Sequence, residues 1–335
     1  MLRVLHLADA AAPEDSAPWR EFLTGEPGLA AMARHEVALV PHHRPWSPRM
    51  AEADVVVSHL PLSWRGLPGL VGLRARAARL RLIHVEHRYC EGYVASRVTA
   101  RQRFRALLRT GYALFDEVAA VSPAQAAWMQ RHALTSGPPP RVVPPCALLE
   151  ALPDLPRPRL PPQVIGAIGR FDRQSGFDLL VEAFRALPAT PGAPRLQLIG
   201  AGPMEAALRR AAAGDARIGI AAMPAGGVPA ALAACDAVAI PSRWDPFGLL
   251  AVQAMAAGRP VLVAPVDGLP EHVADGAVRV PVMTAAAWSQ ALSGLAADAR
   301  HPPSPHLKAR QAAARSVSAW SALLASAEPA RRSTG

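Results

Sequence analysis

Short apolar runs alternate with helical patterns along most of this chain. In the first half, the runs that we predict to be strands are 2–8, 36–42, 53–61, 79–87 and 115–123. Helical patterns separate several of these runs, most clearly at 97–114 and 123–133. This alternation is typical of βαβ units around a parallel sheet that is buried on both faces. The first half is therefore predicted to be an α/β domain.

A proline-rich segment, 151–163, divides the chain, because prolines continue neither a helix nor a sheet. A second series of the same kind follows it. Its predicted strands are 164–170, 195–202, 235–240 and 261–264, and its predicted helices are 176–187, 204–213 and 246–257. We predict two facing, doubly wound, Rossmann-like domains, 1–155 and 156–304, with a cleft between them. A helical tail, 305–335, is expected to pack back toward the N-terminal domain.

Composition limits the classes of protein to which the chain can belong. It has 335 residues, enough for two domains, and no apolar stretch as long as the roughly 20 residues that cross a bilayer. The first apolar run is too short for a signal peptide, so a cytoplasmic location is expected. The formal charge of +10 comes almost entirely from arginine, because Lys308 is the only lysine. The arginines are dispersed without an aromatic platform, which argues against a nucleic-acid partner.

The stretch 241–265, PSRWDPFGLLAVQAMAAGRPVLVAP, places a turn and a helix between two apolar runs. Pro246 suits the first turn of a helix, and Gly248 allows another group to approach the backbone closely. The amide groups of Phe247, Gly248 and Leu249 are then expected to be free. Free amides at a helix start favour a phosphate group or sugar oxygens.

Two polar residues flank the same helix start. Asp245 and Gln253 are eight residues apart, which is just over two turns of a continuous helix, so they could hold opposite ends of one long ligand. In the plainer interpretation, Asp245 only caps the helix and Gln253 is a surface residue. Both interpretations stay open at this point.

Two other strand-to-helix turns carry candidate ligand-binding residues. Arg170 is the last residue of the predicted strand 164–170, and Arg173 lies three residues later. Paired guanidinium groups suit a diphosphate. The alternative is that both arginines are solvated loop charges. Gly202, in LIGAGP, allows the chain to pass close to a base or a phosphate, although the full dinucleotide-binding spacing is missing.

Three segments of the second half follow one another in a characteristic order and spacing. They are GAIGRFDRQSGFDLLVEAF, LQLIGAGPMEAAL and CDAVAIPSRWDPFGLLAVQAMAAGRPVLVAPVDGLPEHV. Together they resemble the retaining glycosyltransferases of the GT-B fold, specifically the family 4 group known as glycosyl transferases group 1. The resemblance covers 160–280 and, more loosely, 53–150. It implies a nucleotide-sugar donor as co-substrate, with no further cofactor and no metal.

The family motif is altered at several positions. The family has two glutamates separated by seven residues, and this chain has Asp245 and Gln253 at those places. The resemblance implies that Asp245 contacts the donor sugar as a catalytic group and that Gln253 binds the ribose. Arg170 is kept for the diphosphate, but Ser175 replaces the expected lysine. Glu271, in GLPEHV, has two open roles, since it could bond the donor sugar or cap a helix.

In the first half, the resemblance draws attention to a histidine at the end of the run 79–87. His87 fits by position the histidine that relatives direct toward the donor sugar, and it is predicted to be catalytic. Glu86 is the nearest acid and is predicted to act as a base on the acceptor side. A purely structural histidine at this place is the alternative.

The stretch 97–109 combines several arginines with a Phe and Leu side. Such a helix could rest on an anionic membrane and reach a lipid-linked acceptor. The plainer interpretation is an amphipathic helix that packs on the sheet. The location is therefore expected to be cytoplasmic, with peripheral contact at the inner membrane face as the membrane-bound alternative.

The reaction implied by the resemblance is transfer of a hexose-type sugar to an acceptor hydroxyl with retention at the anomeric carbon. The acceptor is unknown: a small molecule, a glycan and a lipid-linked molecule are all open. A weakened or non-catalytic member that binds a nucleotide sugar and acts with a partner transferase is the alternative. A sugar-nucleotide epimerase is disfavoured, because it needs paired acid and base groups that the sequence does not assemble.

Overall fold

The computed structural model describes residues 1–11, 18–297 and 304–325. The chain divides into two compact units. The first comprises residues 1–148 together with the described residues from Ala313 onward, and the second comprises Leu149–Ala312. The boundary therefore falls a few residues before the predicted one. The second boundary lies inside the C-terminal helix rather than at its start.

The first unit is built on one six-stranded sheet. Its elements are β1 (Leu2–Asp9), α1 (Trp19–Gly25), α2 (Pro27–Ala30), β2 (Ala33–Val40), a 3₁₀ helix (Pro48–Glu52), β3 (Val55–Ser58), α3 (Leu67–Arg76), β4 (Arg81–Glu86), α4 (Glu91–Arg97), α5 (Arg101–Tyr112), β5 (Glu117–Ala120), α6 (Pro123–Arg131) and β6 (Arg141–Val142). The strand order is β2-β1-β3-β4-β5-β6, and all neighbours are parallel.

The second unit repeats this plan. Its elements are β7 (Val164–Ile168), α7 (Phe177–Arg185), β8 (Arg195–Ile199), α8 (Glu205–Ala212), β9 (Ile218–Ala221), α9 (Gly227–Ala233), β10 (Ala237–Ile240), α10 (Leu249–Ala256), β11 (Val261–Val263), a 3₁₀ helix (Leu269–Asp275), β12 (Val278–Arg279) and α11 (Ala285–Ala297). The last helix, α12 (Pro305–Ala325), begins in this unit and ends in the first. The order is β12-β11-β10-β7-β8-β9, again all parallel.

Helices cover both faces of these sheets, and the central strands are apolar throughout. All four residues of β3 and all four of β10 are buried, which explains why their sequences do not alternate between apolar and polar residues. The prediction of two doubly wound α/β domains is confirmed. The elements that the sequence did not reveal include the short strands β6 and β12, each two residues long, which lie at the sheet edges.

The helix predicted over 97–114 begins later than expected, because Val98 is extended and separates α4, which ends at Arg97, from α5, which covers Arg101–Tyr112. In α5, Leu107, Leu108 and Tyr112 are buried inside the first unit. This packing favours the plainer interpretation of the segment, while contact with a membrane stays a prediction. In the described part of the chain, no helix is long and apolar enough to cross a membrane.

Gly176 has a tight backbone environment in the part of the second unit that positions the site. It precedes α7 and has a left-handed conformation, with φ of 69°. A Cβ atom at this position would overlap the carbonyl oxygen of Pro241, the residue that follows β10. Only glycine therefore lets the β7–α7 loop lie against the end of β10.

Gly176→Ala is expected to destabilise the second unit more than Gly214→Ala. Both glycines are left-handed, but a Cβ at Gly214 meets no atom within 4 Å. Gly214→Ala should therefore cost about 1–2 kcal/mol from backbone strain alone, and Gly176→Ala should add an overlap of about 1–3 kcal/mol. Thermal and urea denaturation measure the difference. Equal losses in the two variants would contradict the close approach.

Candidate functional site

A cavity of about 200 Å³ lies at the carboxyl ends of β7 and β10. These strands are hydrogen-bonded neighbours in the second sheet. Its polar wall is formed by Arg170, Asp172, Gln174, Ser175, Ser242 and Asp245. Carboxyl ends of parallel strands are where open α/β sheets bind their ligands. The fold thus brings together two loops that the sequence singled out separately.

The β7–α7 loop is held by its own side chains. Asp172 Oδ1 accepts hydrogen bonds from the backbone amides of Gln174, at 2.9 Å, and Ser175, at 3.2 Å. The Ser175 hydroxyl donates to the carbonyl oxygen of Arg170 at 2.5 Å. Ser175 therefore closes the loop on itself at the position where relatives are expected to carry a lysine.

Arg170 stands at the rim of the cavity. Its side chain is 65% exposed, and its Nε atom lies 3.5 Å from Asp172 Oδ2. Among the described residues, no other group contacts its guanidinium. Arg173 is exposed and does not line the cavity. The structure thus places only the first of the two predicted diphosphate-binding arginines at the site.

Arg243 joins the two loops, and sequence reasoning missed it. Its guanidinium donates to both carboxylate oxygens of Asp178, at 2.8 and 2.7 Å, and to the carbonyl oxygen of Arg173 at 3.0 Å. Burial disfavours the charge on Asp178, but the hydrogen bonds from Arg243 outweigh it and lower the pKa of that carboxyl. Arg243 belongs to the PSRW motif, which was the available signal.

The turn before α10 differs from the expected helix start. The helix begins at Leu249, not at Pro246, so the spacing of two helical turns between Asp245 and Gln253 does not apply. The amides of Phe247 and Gly248 are not free as predicted, because both donate to Asp245 Oδ1, at 3.2 and 2.7 Å. Asp245 therefore stabilises the turn that precedes α10, but the N-cap residue of that helix is Gly248, so a helix-capping role of Asp245 is not confirmed.

The carboxyl group of Asp245 has an unusual environment. Burial raises the pKa of its carboxyl to about 6, against the opposing effect of the two amide hydrogen bonds, and the nearby charge of Asp267 raises it further. The backbone amide of Asp245 also donates to Asp267 Oδ2 at 3.1 Å. The carboxyl of Asp245 therefore titrates closer to neutral pH than an ordinary aspartate does.

The 3₁₀ helix Leu269–Asp275 packs under this turn. A Cβ on Gly248 would overlap Leu269, and the ring of His272 bonds the carbonyl oxygen of Phe247 at 2.6 Å. Glycine is therefore needed at position 248 for packing, and the binding of a ligand by Gly248 stays a prediction. Glu271 lies on this 3₁₀ helix and is not among the residues that line the cavity, so its two roles stay open.

The remaining predicted donor-binding residues lie near the cavity but outside its wall. Gln253, on α10, is 7% exposed and is thus not the surface residue of the plainer interpretation. A Cβ on Gly202 would lie 2.6 Å from the carbonyl oxygen of Phe171, which makes glycine necessary for packing against the β7–α7 loop. Ligand contacts of Gln253, Gly202 and Leu249 stay predictions.

Glu86, in the first unit, is buried and fully engaged. Its Oε1 atom accepts from the amides of Arg88 and Tyr89, at 2.7 and 3.0 Å, and its Oε2 atom accepts from the Tyr112 hydroxyl at 2.9 Å. Burial opposes its charge, but a hydrogen bond from His84 and these amides outweigh burial and lower the pKa of Glu86. This environment anchors a loop, and the role of acceptor-side base stays a prediction.

His87 follows β4 and is half-buried. Its Nε2 atom lies 2.8 Å from His59 Nδ1, and the Trp19 ring stacks on it with 5.2 Å between centroids. Burial lowers the pKa of His87 to about 4, although the charge of Glu86 acts in the opposite direction. The ring is therefore neutral at pH 7. Within residues 1–11, 18–297 and 304–325, no three His, Cys, Asp or Glu side chains are arranged to hold a metal ion.

Asp245→Asn is expected to stabilise the protein most at neutral and alkaline pH. An aspartate whose pKa rises from about 4 to about 6 on folding favours the folded state below pH 4 and loses this contribution as the pH rises through 6. Asparagine can accept the same two amide bonds and does not titrate. Melting curves should show the variant's advantage over the parent growing between pH 5 and pH 7.5, and a shrinking advantage would contradict the raised pKa.

Comparison with known proteins is consistent with this geometry. Residues 162–298 match the family model described as Glycosyl transferases group 1. The D-inositol 3-phosphate glycosyltransferase of Nocardia farcinica is 34% identical over 151 residues, which covers 40% of this chain and 33% of the relative. The chain spans about a third of the length of the curated relatives that it matches.

Solved structures match over nearly the whole chain. Sucrose-phosphate synthase from Thermosynechococcus elongatus has a TM-score of 0.73 at 18% identity, over 97% of this chain and 100% of that chain. Anabaena HepE in complex with UDP-glucose has a TM-score of 0.66 at 15% identity, over the same shares of the two chains. Residues 162–298 of the second unit are therefore similar to Glycosyl transferases group 1, and the chain has the fold of the GT-B glycosyltransferases.

Proposed function

We propose that the protein is a glycosyltransferase whose second unit binds a nucleotide-sugar donor at the carboxyl ends of β7 and β10. The observation that carries the proposal is the cavity whose wall contains both Arg170 and Asp245. It lies within the segment that matches Glycosyl transferases group 1. At about 200 Å³ it is smaller than pockets that enclose a whole drug-sized ligand, so it holds one portion of the donor.

Arg170 is the group that binds the diphosphate. A guanidinium presents paired N–H donors that match phosphate oxygens, and this one stands exposed at the rim. Gln253 binds the ribose through its amide, which can both donate and accept. The leaving nucleoside diphosphate is stabilised by Arg170, without a metal.

Asp245 orients the donor sugar. Its Oδ1 atom is fixed by the amides of Phe247 and Gly248. In the described part of the chain its Oδ2 atom has no hydrogen-bond partner, so this atom is left to accept from a sugar hydroxyl. Because the pKa of Asp245 is about 6, the ionised fraction of its carboxyl group, and with it this contact, depends on pH near neutrality.

The proposed reaction forms a bond from an acceptor oxygen to the anomeric carbon of a hexose-type sugar and breaks the bond from that carbon to the diphosphate. The configuration at the anomeric carbon is retained. HepE is solved with UDP and glucose, so UDP-glucose is the first donor to test. An inositol phosphate is the first acceptor to test, because the similar protein of Nocardia farcinica is named D-inositol 3-phosphate glycosyltransferase. NMR spectra of the product report its anomeric configuration, and inversion would refute the mechanism.

Donor binding without transfer is the second candidate. It is favoured by the use of Asp245 to hold the turn before α10 and by Ser175 in the place of a lysine. Calorimetry of donor binding, combined with an assay for released nucleoside diphosphate, separates the two functions. Binding with no release in the presence of any sugar, glycan or lipid-linked acceptor would favour the non-catalytic role.

Arg170→Ala is expected to weaken the binding of a nucleoside diphosphate by about 10- to 100-fold, the loss of one charge-assisted contact. Arg173→Ala is the matched control, because Arg173 lies in the same loop but outside the cavity wall. Titration calorimetry with UDP, GDP, ADP and dTDP identifies the nucleotide and measures both variants. Equal losses in the two variants, or none in Arg170→Ala, would remove Arg170 from the site.

A further inference from the structure

Four histidines of the first unit form a continuous hydrogen-bonded row across the sheet. His35 lies on β2, His6 on β1, and His59 and His87 directly follow β3 and β4. These strands are consecutive neighbours in the sheet. His35 Nδ1 lies 2.9 Å from His6 Nε2, His6 Nδ1 lies 2.9 Å from His59 Nε2, and His59 Nδ1 lies 2.8 Å from His87 Nε2.

Tryptophans enclose this row. Trp19 stacks on His59 and His87, with ring centroids 4.2 and 5.2 Å away. Trp320, on α12, meets His6 edge-on at 5.3 Å. His6 is fully buried and His59 is 9% exposed, so the central rings have no ready exchange with water. The rings are therefore held in one orientation.

The row is composed of neutral imidazoles. Burial lowers the pKa values of His35 and His87 to about 4, and it lowers those of His6 and His59 well below the ordinary value. The other charged and titratable groups that act on these rings are Arg20, His84 and Glu86. The carboxylate of Glu86 is the one that favours a proton on His87.

The geometry fits hydrogen bonds rather than a metal site. In each gap only two nitrogens meet, at the distance of a hydrogen bond. A structural metal needs several nitrogens converging on one point at about 2.0–2.1 Å from it. Each gap therefore contains one proton, donated by one ring and accepted by the next.

Counting protons leaves two arrangements. Four neutral rings carry one ring proton each, and the three gaps use three of them, so one proton remains at an end of the row. It sits either on His35 Nε2 or on His87 Nδ1. His35 Nε2 is buried with no partner in the described part of the chain. A buried N–H group without an acceptor is rare in proteins, so His35 Nε2 is expected to carry no proton. The remaining proton is therefore placed on His87 Nδ1.

We propose that His35, His6 and His59 form a histidine relay that fixes His87 as a hydrogen-bond donor through Nδ1. Each ring donates from Nδ1 to Nε2 of the next ring, which leaves the last Nδ1–H, on His87, outside the row. His35, His6 and His59 are positioning residues, because they act only through His87. The order of the protons is independent of the proposed function.

The proton order is tested by NMR of the full-length, EDTA-treated protein with ¹⁵N-labelled histidine at pH 8. The ¹⁵N shifts distinguish protonated from bare ring nitrogens. We expect Nδ1–H forms for His35, His6, His59 and His87. An Nε2–H form or an imidazolium at His6, His59 or His87 would overturn the proposal. Displacement of all four signals by one equivalent of Zn²⁺ would also overturn it, since the nitrogens would then be metal ligands.

His35→Asp and His35→Asn form a matched pair that tests control over His87. A carboxylate can only accept, so His35→Asp should reverse every bond and convert His6, His59 and His87 to Nε2–H forms. Asparagine has the same size and can still donate, so His35→Asn should keep the original order. If His87 retains Nδ1–H in the Asp variant, the relay does not set its state.

Discussion

The pairing of β7 with β10 is the constraint on which the candidate site depends. These strands are distant in sequence but register Ala237 against Ile165 in one parallel sheet. Their carboxyl ends therefore lie side by side, and the loops that follow β7 and β10 are close together. This close approach requires glycine at position 176, because any side chain there would overlap the carbonyl oxygen of Pro241. Arg243 then locks the loops together through Asp178.

Electrostatics at the site follow from burial and pairing. Arg170 stays exposed and charged at the rim, whereas Asp245 is partly withdrawn from water and held by two amides. A positive group and a carboxyl with a raised pKa thus occupy one wall of the cavity. In the first unit, the four histidines of the row, His35, His6, His59 and His87, are neutral and hydrogen-bond to one another.

Much of the fold could be predicted from the sequence, because buried parallel strands are continuous apolar runs and the intervening helices have clear periodicity. The two-residue strands β6 and β12 could not, since nothing so short has a pattern. At the site, the sequence motifs identified Arg170 and Asp245. They did not predict that α10 starts only at Leu249, because Gly248 has a left-handed conformation and packs against Leu269, a contact that a sequence pattern does not reveal. The histidine row was invisible, since His6, His35 and His59 are far apart in sequence.

Hydrogen exchange measured by mass spectrometry, with and without saturating nucleoside diphosphate, tests the central claim most directly. The account predicts that bound nucleotide slows exchange in 168–177 and 239–250, the two segments that line the cavity. Exchange should stay unchanged around Gly214, which lies in the same unit but outside the cavity wall. Slower exchange elsewhere, with both segments unaffected at saturation, would contradict the account.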